Sequence, residues 1–188
     1  MRRRAGLAAA MACLSIAATV TSPARAAMTF TFKVASLSGG TISSEDFKGK
    51  IVVVDIWATW CGPCRLVIPH LVRLQETFKD KGVAVVGLNA DEGAGAGPGH
   101  QTVERFVKKY EIGYPVGLMN GGTYREVARV MDFDEQEGFS LPTTIILDRD
   151  GTVIRRYPGY FPGQEREIEK LLTRMLEAEK PASPPARH

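Results

Sequence analysis

The stretch IVVVDIWATWCGPC (51–64) sets the tightest limit on how this chain folds. Residues 51–57 are apolar apart from Asp55, and a run of that length and composition fits a strand covered on both faces. Such strands lie at the centre of sheets with helices packed on either side. After Trp57 the pattern breaks, and Cys61 and Cys64 then bracket Gly62 and Pro63. Beyond them, RLVIPHLVRLQETFKD has apolar residues at 67, 68, 71, 74 and 78, the period of an amphipathic helix. A buried strand therefore runs into a helix, with the cysteine pair at the junction.

The rest of the chain repeats the alternation. VAVVGLN (83–89) reads as a second buried strand, and HQTVERFVKKYEI and TYREVARVM read as helices. TTIILD and TVIRRY flank Arg149-Asp150-Gly151, a hairpin turn signal. REIEKLLTRMLEAEK is an amphipathic final helix. Residues 28–43 alternate apolar and polar around Ser38-Gly39-Gly40, which predicts a hairpin. GAGAGPG (93–99) is too rich in glycine for regular structure and reads as a flexible loop. Strands alternating with helices and closed by a hairpin give an α/β fold with a mixed sheet. No internal repeat and no second domain is visible.

The first 26 residues read as an export signal: MRRR, a short apolar run, and Ala24-Arg25-Ala26 as a small-x-small cleavage site. The expected organisation is a leader (1–26), one domain (27–180) and a disordered tail (181–188). The leader holds Arg2, Arg3, Arg4 and Arg25 and no acid. Without these four, 20 bases face 21 acids, so the net charge of +3 becomes −1 and gives no reason to expect a nucleic-acid partner.

The leader also holds Cys13, so Cys61 and Cys64 remain as the mature chain's thiols. A structural zinc site needs about four ligands, and His70, His100 and His188 lack matching spacing. No metal and no cofactor is expected. A stapling disulfide gains from closing a long loop, and this pair closes almost none. An exported chain with one short-loop pair is best read as redox-active.

The chemistry follows from the position of the pair. A helix starting at about Cys61 would direct free N–H groups and the positive dipole end at its sulfur, favouring the thiolate. Cys64 lies one turn inward on the same side. Pro63 has no N–H, and a first helical turn needs none. A thiol of pKa ~8.5 is about 3% thiolate at pH 7. Lowering the pKa to ~7 raises that roughly 15-fold while nucleophilicity falls about 5-fold, a net gain of a few-fold.

VVVDIWATWCGPCRLVIPHL resembles the active-site segment of thioredoxin. With the N-terminal hairpin, the export signal and Leu141-Pro142-Thr143-Thr144, the chain is similar to exported thiol:disulfide oxidoreductases of the TlpA/ResA type from about Phe30 to Leu176. The resemblance implies a thioredoxin fold: a central mixed sheet flanked by helices, with an added N-terminal β-hairpin. It implies that Cys61 attacks and that Cys64 resolves. Pro69 matches a helix-kinking proline, and Pro142 matches a cis-proline lying against the disulfide. Trp60, Gly62, Pro63 and Leu141 then form the contact surface for substrate, with the backbone at Leu141 pairing with a substrate strand. Trp57 is expected in the core.

Two acids are candidate proton handlers. Asp55 matches the buried aspartate of thioredoxin, and Glu92, in LNADEG, matches the active-site glutamate of ResA-type proteins. Many of those lack an acid at the Asp55 position, so carrying both is a partial departure. A buried carboxyl has a raised pKa and can accept the Cys64 proton. The structural alternatives are a hydrogen-bonded core acid for Asp55 and a solvated loop residue for Glu92. VMDFDEQEGFSLP is longer than the corresponding family segment.

The implied activity is reduction of disulfides in partner proteins outside the cytoplasm. A membrane-bound thiol donor would return the electrons. Cytochrome c maturation and oxidase copper-site assembly are the commonest roles the resemblance implies. Two other classes compete. A thiol peroxidase needs a threonine at a spacing Thr59 does not have. A copper carrier needs a wider cysteine pair with a distal histidine.

Overall fold

The computed structural model describes residues 27–91, 97–134 and 138–178. The expected leader, Glu92, the following residues 93–96, and the tail lie outside the described residues. So do residues 135–137 of the long segment before Pro142.

The chain runs through β1 (Lys33–Ser36), β2 (Thr41–Ser43), β3 (Ile51–Trp57), α1 (Cys64–Phe78) and β4 (Val83–Asn89). It continues through α2 (Gly97–Lys109), β5 (Val116–Leu118), α3 (Gly121–Met131), β6 (Thr143–Leu147), β7 (Val153–Pro158) and α4 (Gln164–Ala178). The strands form one mixed sheet in the order β2-β1-β5-β4-β3-β6-β7. β3 is central, parallel to β4 and antiparallel to β6. All seven residues of β3 and all seven of β4 are buried, as their near-continuous apolar runs require, and Asp55 and Asn89 are buried with them.

Alternation along β3 divides the core into two layers. Ile51, Val53 and Trp57 face one layer, shared with Val67, Ile68, Leu71 and Leu74 of α1, Val103 and Phe106 of α2, and Ile168 and Leu172 of α4. Val52, Val54 and Ile56 face the other, which holds Phe30, Phe32, Phe47 and Val127, Val130 and Met131 of α3. The buried positions of α1 beyond Cys64 are 67, 68, 71, 74 and 78, the stripe its period predicts. Each fully buried Ile or Leu contributes roughly 1.5–3 kcal/mol, so this stripe fixes α1 against β3. Pro69 lies inside α1.

Three expectations need correction. The N-terminal hairpin is confined to 33–43, with Lys33 opposite Ser43. Phe32 still joins it, its carbonyl accepting from Ser44 N at 3.0 Å, but residues 28–31 lie apart, and Thr29 bridges Thr152 at the other end of the sheet. The reason is that residues 28–30 direct their backbone bonds to the turn before β7 and to its first residue, with Phe30 N donating to Gly151 O and Met28 O accepting from Val153 N, while Phe30 is buried in the core. Second, α2 begins at Gly97, inside the glycine-rich run. Pro98 tolerates this because a first helical turn needs no N–H from it. Third, α1 begins at Cys64, not at Cys61.

Candidate active site

The site is built at the end of β3. Its last carbonyl, Trp57 O, accepts from Ala90 N at 2.8 Å, so the loops after β3 and β4 leave the sheet together. Asp91 then holds the approach to the cysteines. Its carboxylate accepts from Thr59 N at 3.0 Å, from Thr59 Oγ1 at 3.2 Å and from Asn89 Nδ2 at 2.8 Å. Arg65 reaches back from α1 to donate to Thr59 O at 3.0 Å. Cys61 N donates to Ala58 O at 3.1 Å.

Cys61 and Cys64 are joined by a disulfide, with Cα atoms 5.4 Å apart. Cys61 precedes α1, and the first amide of the helix reaches it: Cys64 N donates to Cys61 Sγ at 3.2 Å. The outer sulfur thus occupies the capping position, where helical N–H groups lack carbonyl partners. Cys61 keeps 4% exposure, whereas Cys64 has none. Gly62 and Pro63 are exposed, and Trp60 is 69% exposed. Trp57, three residues earlier, is fully buried.

The Leu141–Pro142 peptide is cis. Ile56 pairs with Thr143, so the next step along these antiparallel strands sets Pro142 opposite Trp57, at the cysteine end of β3. Pro142 O accepts from Gly159 N at 2.7 Å. The backbone N–H and C=O of Leu141 have no hydrogen-bond partner among the described residues.

Asp55 is completely buried, and alternation turns it toward the layer that holds Cys64. Burial pushes its carboxyl from 3.8 up to about 7, and weak hydrogen bonding to the Thr144 side chain, opposite it on β6 but outside ordinary hydrogen-bond geometry, lowers it in part. Neither carboxyl oxygen has a hydrogen-bond partner in ordinary geometry among the described residues. The same holds for Trp57 Nε1, Tyr114 OH and Thr144 Oγ1. Register gathers these groups. Asp55 pairs with Gly87, and a Cβ on Gly87 would lie 2.8 Å from Trp57 Nε1 and 3.1 Å from Tyr114 Cε2. The two rings therefore occupy the space a side chain would fill beside Asp55. Tyr114, Gly87, Thr144 and Asp91 carry no local signal of this role in the sequence. Only strand register brings the first three to Asp55, and Asp91 had one clue, its place beside Glu92.

Among the described residues no three His, Cys, Asp or Glu side chains gather as a metal site. No helix among them is long and apolar enough to cross a membrane.

A family model described as AhpC/TSA family matches residues 23–156, well over half of the chain. The chain belongs to the AhpC/TSA family. Within this thioredoxin-like group, the thiol-disulfide oxidoreductase ResA of Bacillus thuringiensis subsp. konkukian is 37% identical over 128 residues. That match covers 68% of this chain and 66% of the relative, just under two thirds of its length. The thioredoxin-like protein YneN of Bacillus subtilis is 33% identical over 136 residues, 72% of each chain. Among solved structures, a thiol:disulfide interchange protein of the thioredoxin family from Chlorobium tepidum TLS superposes with a TM-score of 0.68 at 27% identity. The superposition covers 82% of this chain and 99% of that one, so the fold is the thioredoxin fold expected from the sequence.

Proposed function

We propose that this chain is an extracytoplasmic thiol:disulfide oxidoreductase that reduces disulfides in partner proteins through Cys61 and Cys64. One arrangement carries the reading. The outer sulfur of a bonded cysteine pair receives the first amide of α1, and a buried carboxyl titrating near neutrality faces the layer of its partner. The names of the ResA relatives and of the Chlorobium protein support it.

The cycle starts from the dithiol. The Cys61 thiolate, stabilised by the Cys64 amide and the dipole of α1, attacks one sulfur of a substrate disulfide. A mixed disulfide forms, and the first substrate sulfur leaves as a thiolate that water protonates. Cys64 then gives its proton to Asp55, and its thiolate attacks Cys61 Sγ. The Cys61–Cys64 bond forms and the second substrate thiolate leaves. Two electrons have passed to the substrate, and a thiol donor, membrane-bound in this reading, restores the dithiol. Trp60, Gly62 and Pro63 face the substrate, and the unpaired backbone of Leu141 offers an extended substrate segment one donor and one acceptor. A peroxidase reading gains nothing from Thr59, whose hydroxyl is bonded to Asp91.

The test is trapping. With Cys64→Ser, a mixed disulfide should accumulate on Cys61, and alkylation of the reduced protein near neutral pH should label Cys61 first. Faster labelling of Cys64 would reverse the assignment. For the proton, Asp55→Asn should slow attack on a preformed Cys61 mixed disulfide by roughly 10²-fold, and more than Glu92→Gln does. A larger defect from Glu92→Gln would make Glu92 the acceptor.

A further inference from the structure

We propose that Tyr114 is a positioning residue for Asp55: its hydroxyl is the donor that the Asp55 carboxylate takes up when it ionises. The inference rests on the reading of Asp55 as the acceptor of the Cys64 proton.

Tyr114 lies just before β5 and is 4% exposed. Its hydroxyl has no hydrogen-bond partner among the described residues, and a buried phenol without one is rare. The ring lies over Gly87, the residue paired with Asp55, and neighbouring strands are only about 4.8 Å apart. The two groups feel each other: burial first, then the charge of Asp55, raises the Tyr114 phenol well above its ordinary value. The phenol therefore stays protonated and remains a donor throughout the working pH range.

An acceptor with no donor in ordinary hydrogen-bond geometry and a donor without an acceptor thus share one buried face. In the neutral form Asp55 tolerates this. Once ionised it must find donors, because an unpaired buried charge is far costlier than an unpaired neutral group. Among the described residues, the other titratable groups on this face are few. Cys61 and Cys64 are bonded to each other. Tyr110, after α2, stacks on Phe106. Tyr157 of β7 turns its hydroxyl to Glu167 of α4 at 3.2 Å. Trp57 Nε1 and Thr144 Oγ1 are the competing donors. The Trp57 indole is wedged between Gly87 and Phe106, with ring centroids 4.9 Å apart in the latter contact.

Tyr114→Phe keeps the ring and removes a hydroxyl that has no partner, so the fold should survive. The Asp55 pKa would be read by carboxyl NMR titration of the oxidised protein, and the rate of Cys64 attack on a Cys61 mixed disulfide across pH. Tyr114→Phe should raise the Asp55 pKa by about one unit, the scale of one charge-assisted hydrogen bond. The rate at pH 7 should fall only about twofold, because the ionised fraction drops about fivefold while the added basicity returns about threefold, and by about pH 9 it should exceed that of the wild type about threefold. In an Asp55→Asn background, Tyr114→Phe should have no effect. An unchanged Asp55 titration overturns the proposal, as does a loss of rate equal at every pH. The same titration shift from Thr144→Val, with none from Tyr114→Phe, assigns the donor to Thr144 instead. If Asp55→Asn leaves the rate intact while Tyr114→Phe shifts the titration, Tyr114 holds Asp55 as stated, and the acceptor role of Asp55 fails by itself.

Discussion

Replacing Asp55 with Asn should stabilise the oxidised protein, by an amount that depends on pH in a fixed direction. The carboxyl is fully buried, and its oxygens lack hydrogen-bond partners among the described residues. Folding raises its pKa from 3.8 to about 7. Below about pH 4 the group is protonated in both folded and unfolded chains and contributes no pH dependence. Between those two values the folded chain holds a proton that the unfolded chain has released, so stability falls as pH rises. Above pH 7 the loss is complete. At 1.36 kcal/mol per unit, the gap amounts to about 4 kcal/mol, and more than half of it develops between pH 5 and pH 8. Asn has nearly the same shape and never ionises. Urea unfolding of both proteins at pH 5 and pH 8, disulfide intact, should show the advantage of Asn growing by about 2.5 kcal/mol at the higher pH. That is a large part of the 5–15 kcal/mol typical of a domain. An advantage equal at both pH values, or larger at pH 5, would refute the burial argument and mean that Asp55 is ionised and paired in the folded protein.

Two further substitutions probe the surroundings. Gly87→Ala places a Cβ 2.8 Å from Trp57 Nε1 and 3.1 Å from Tyr114 Cε2, so it should destabilise by roughly 1–3 kcal/mol in the same urea assay and alter near-ultraviolet circular dichroism from Trp57. Wild-type stability would mean the rings are free to move. Asp91→Ala removes the acceptor of Thr59 N, Thr59 Oγ1 and Asn89 Nδ2, and should cost about 1–3 kcal/mol and slow Cys61 alkylation by loosening the loop that presents it. An unchanged alkylation rate would restrict Asp91 to a stabilising role.

The architecture was legible because its signals are local. The near-continuous apolar runs of β3 and β4 required cover on both faces, and the stripe at 67, 68, 71, 74 and 78 fixed which side of α1 turns inward. The cysteine pair and Asp55 were visible for the same reason, each standing out against its own neighbours, whereas Pro142 was read through the resemblance to thioredoxin. What escaped was set by distant partners. Residues 28–31 look like part of a hairpin until their backbone finds Gly151 and Val153 at the opposite edge of the sheet. The start of α1 slipped to Cys64 because Gly62 and Pro63 form the turn that lets Cys61 Sγ, and not a carbonyl, face the first amide. Tyr114 lies 59 positions from Asp55 in the sequence, and only the parallel register of β3 on β4 makes them neighbours.

Among the described residues, the partnerless groups of Asp55, Trp57, Tyr114 and Thr144 fall on the face of β3 that also receives Cys64, and magnitudes explain why such a cost persists there. Sequence and structure agree at every level along β3 except at Asp55, the kind of local conflict that marks a working site. A carboxyl left at 3.8 would be fully ionised at pH 7 but a poor base. Raised to about 7, it gains roughly three units of basicity while half the molecules lose the ionised form. If Asp55 takes the Cys64 proton as proposed, and about half of that basicity is felt in the transition state, the transfer quickens roughly 20-fold. Desolvation is the main cause of the shift, and it penalises folding by the same few kcal/mol that would make Asp55 an effective base. A full set of donors around Asp55 would relieve the strain on stability, but it would also return the carboxyl toward 3.8 and surrender the gain. One donor engaged only on ionisation, from Tyr114, is the compromise that leaves the carboxyl near neutrality.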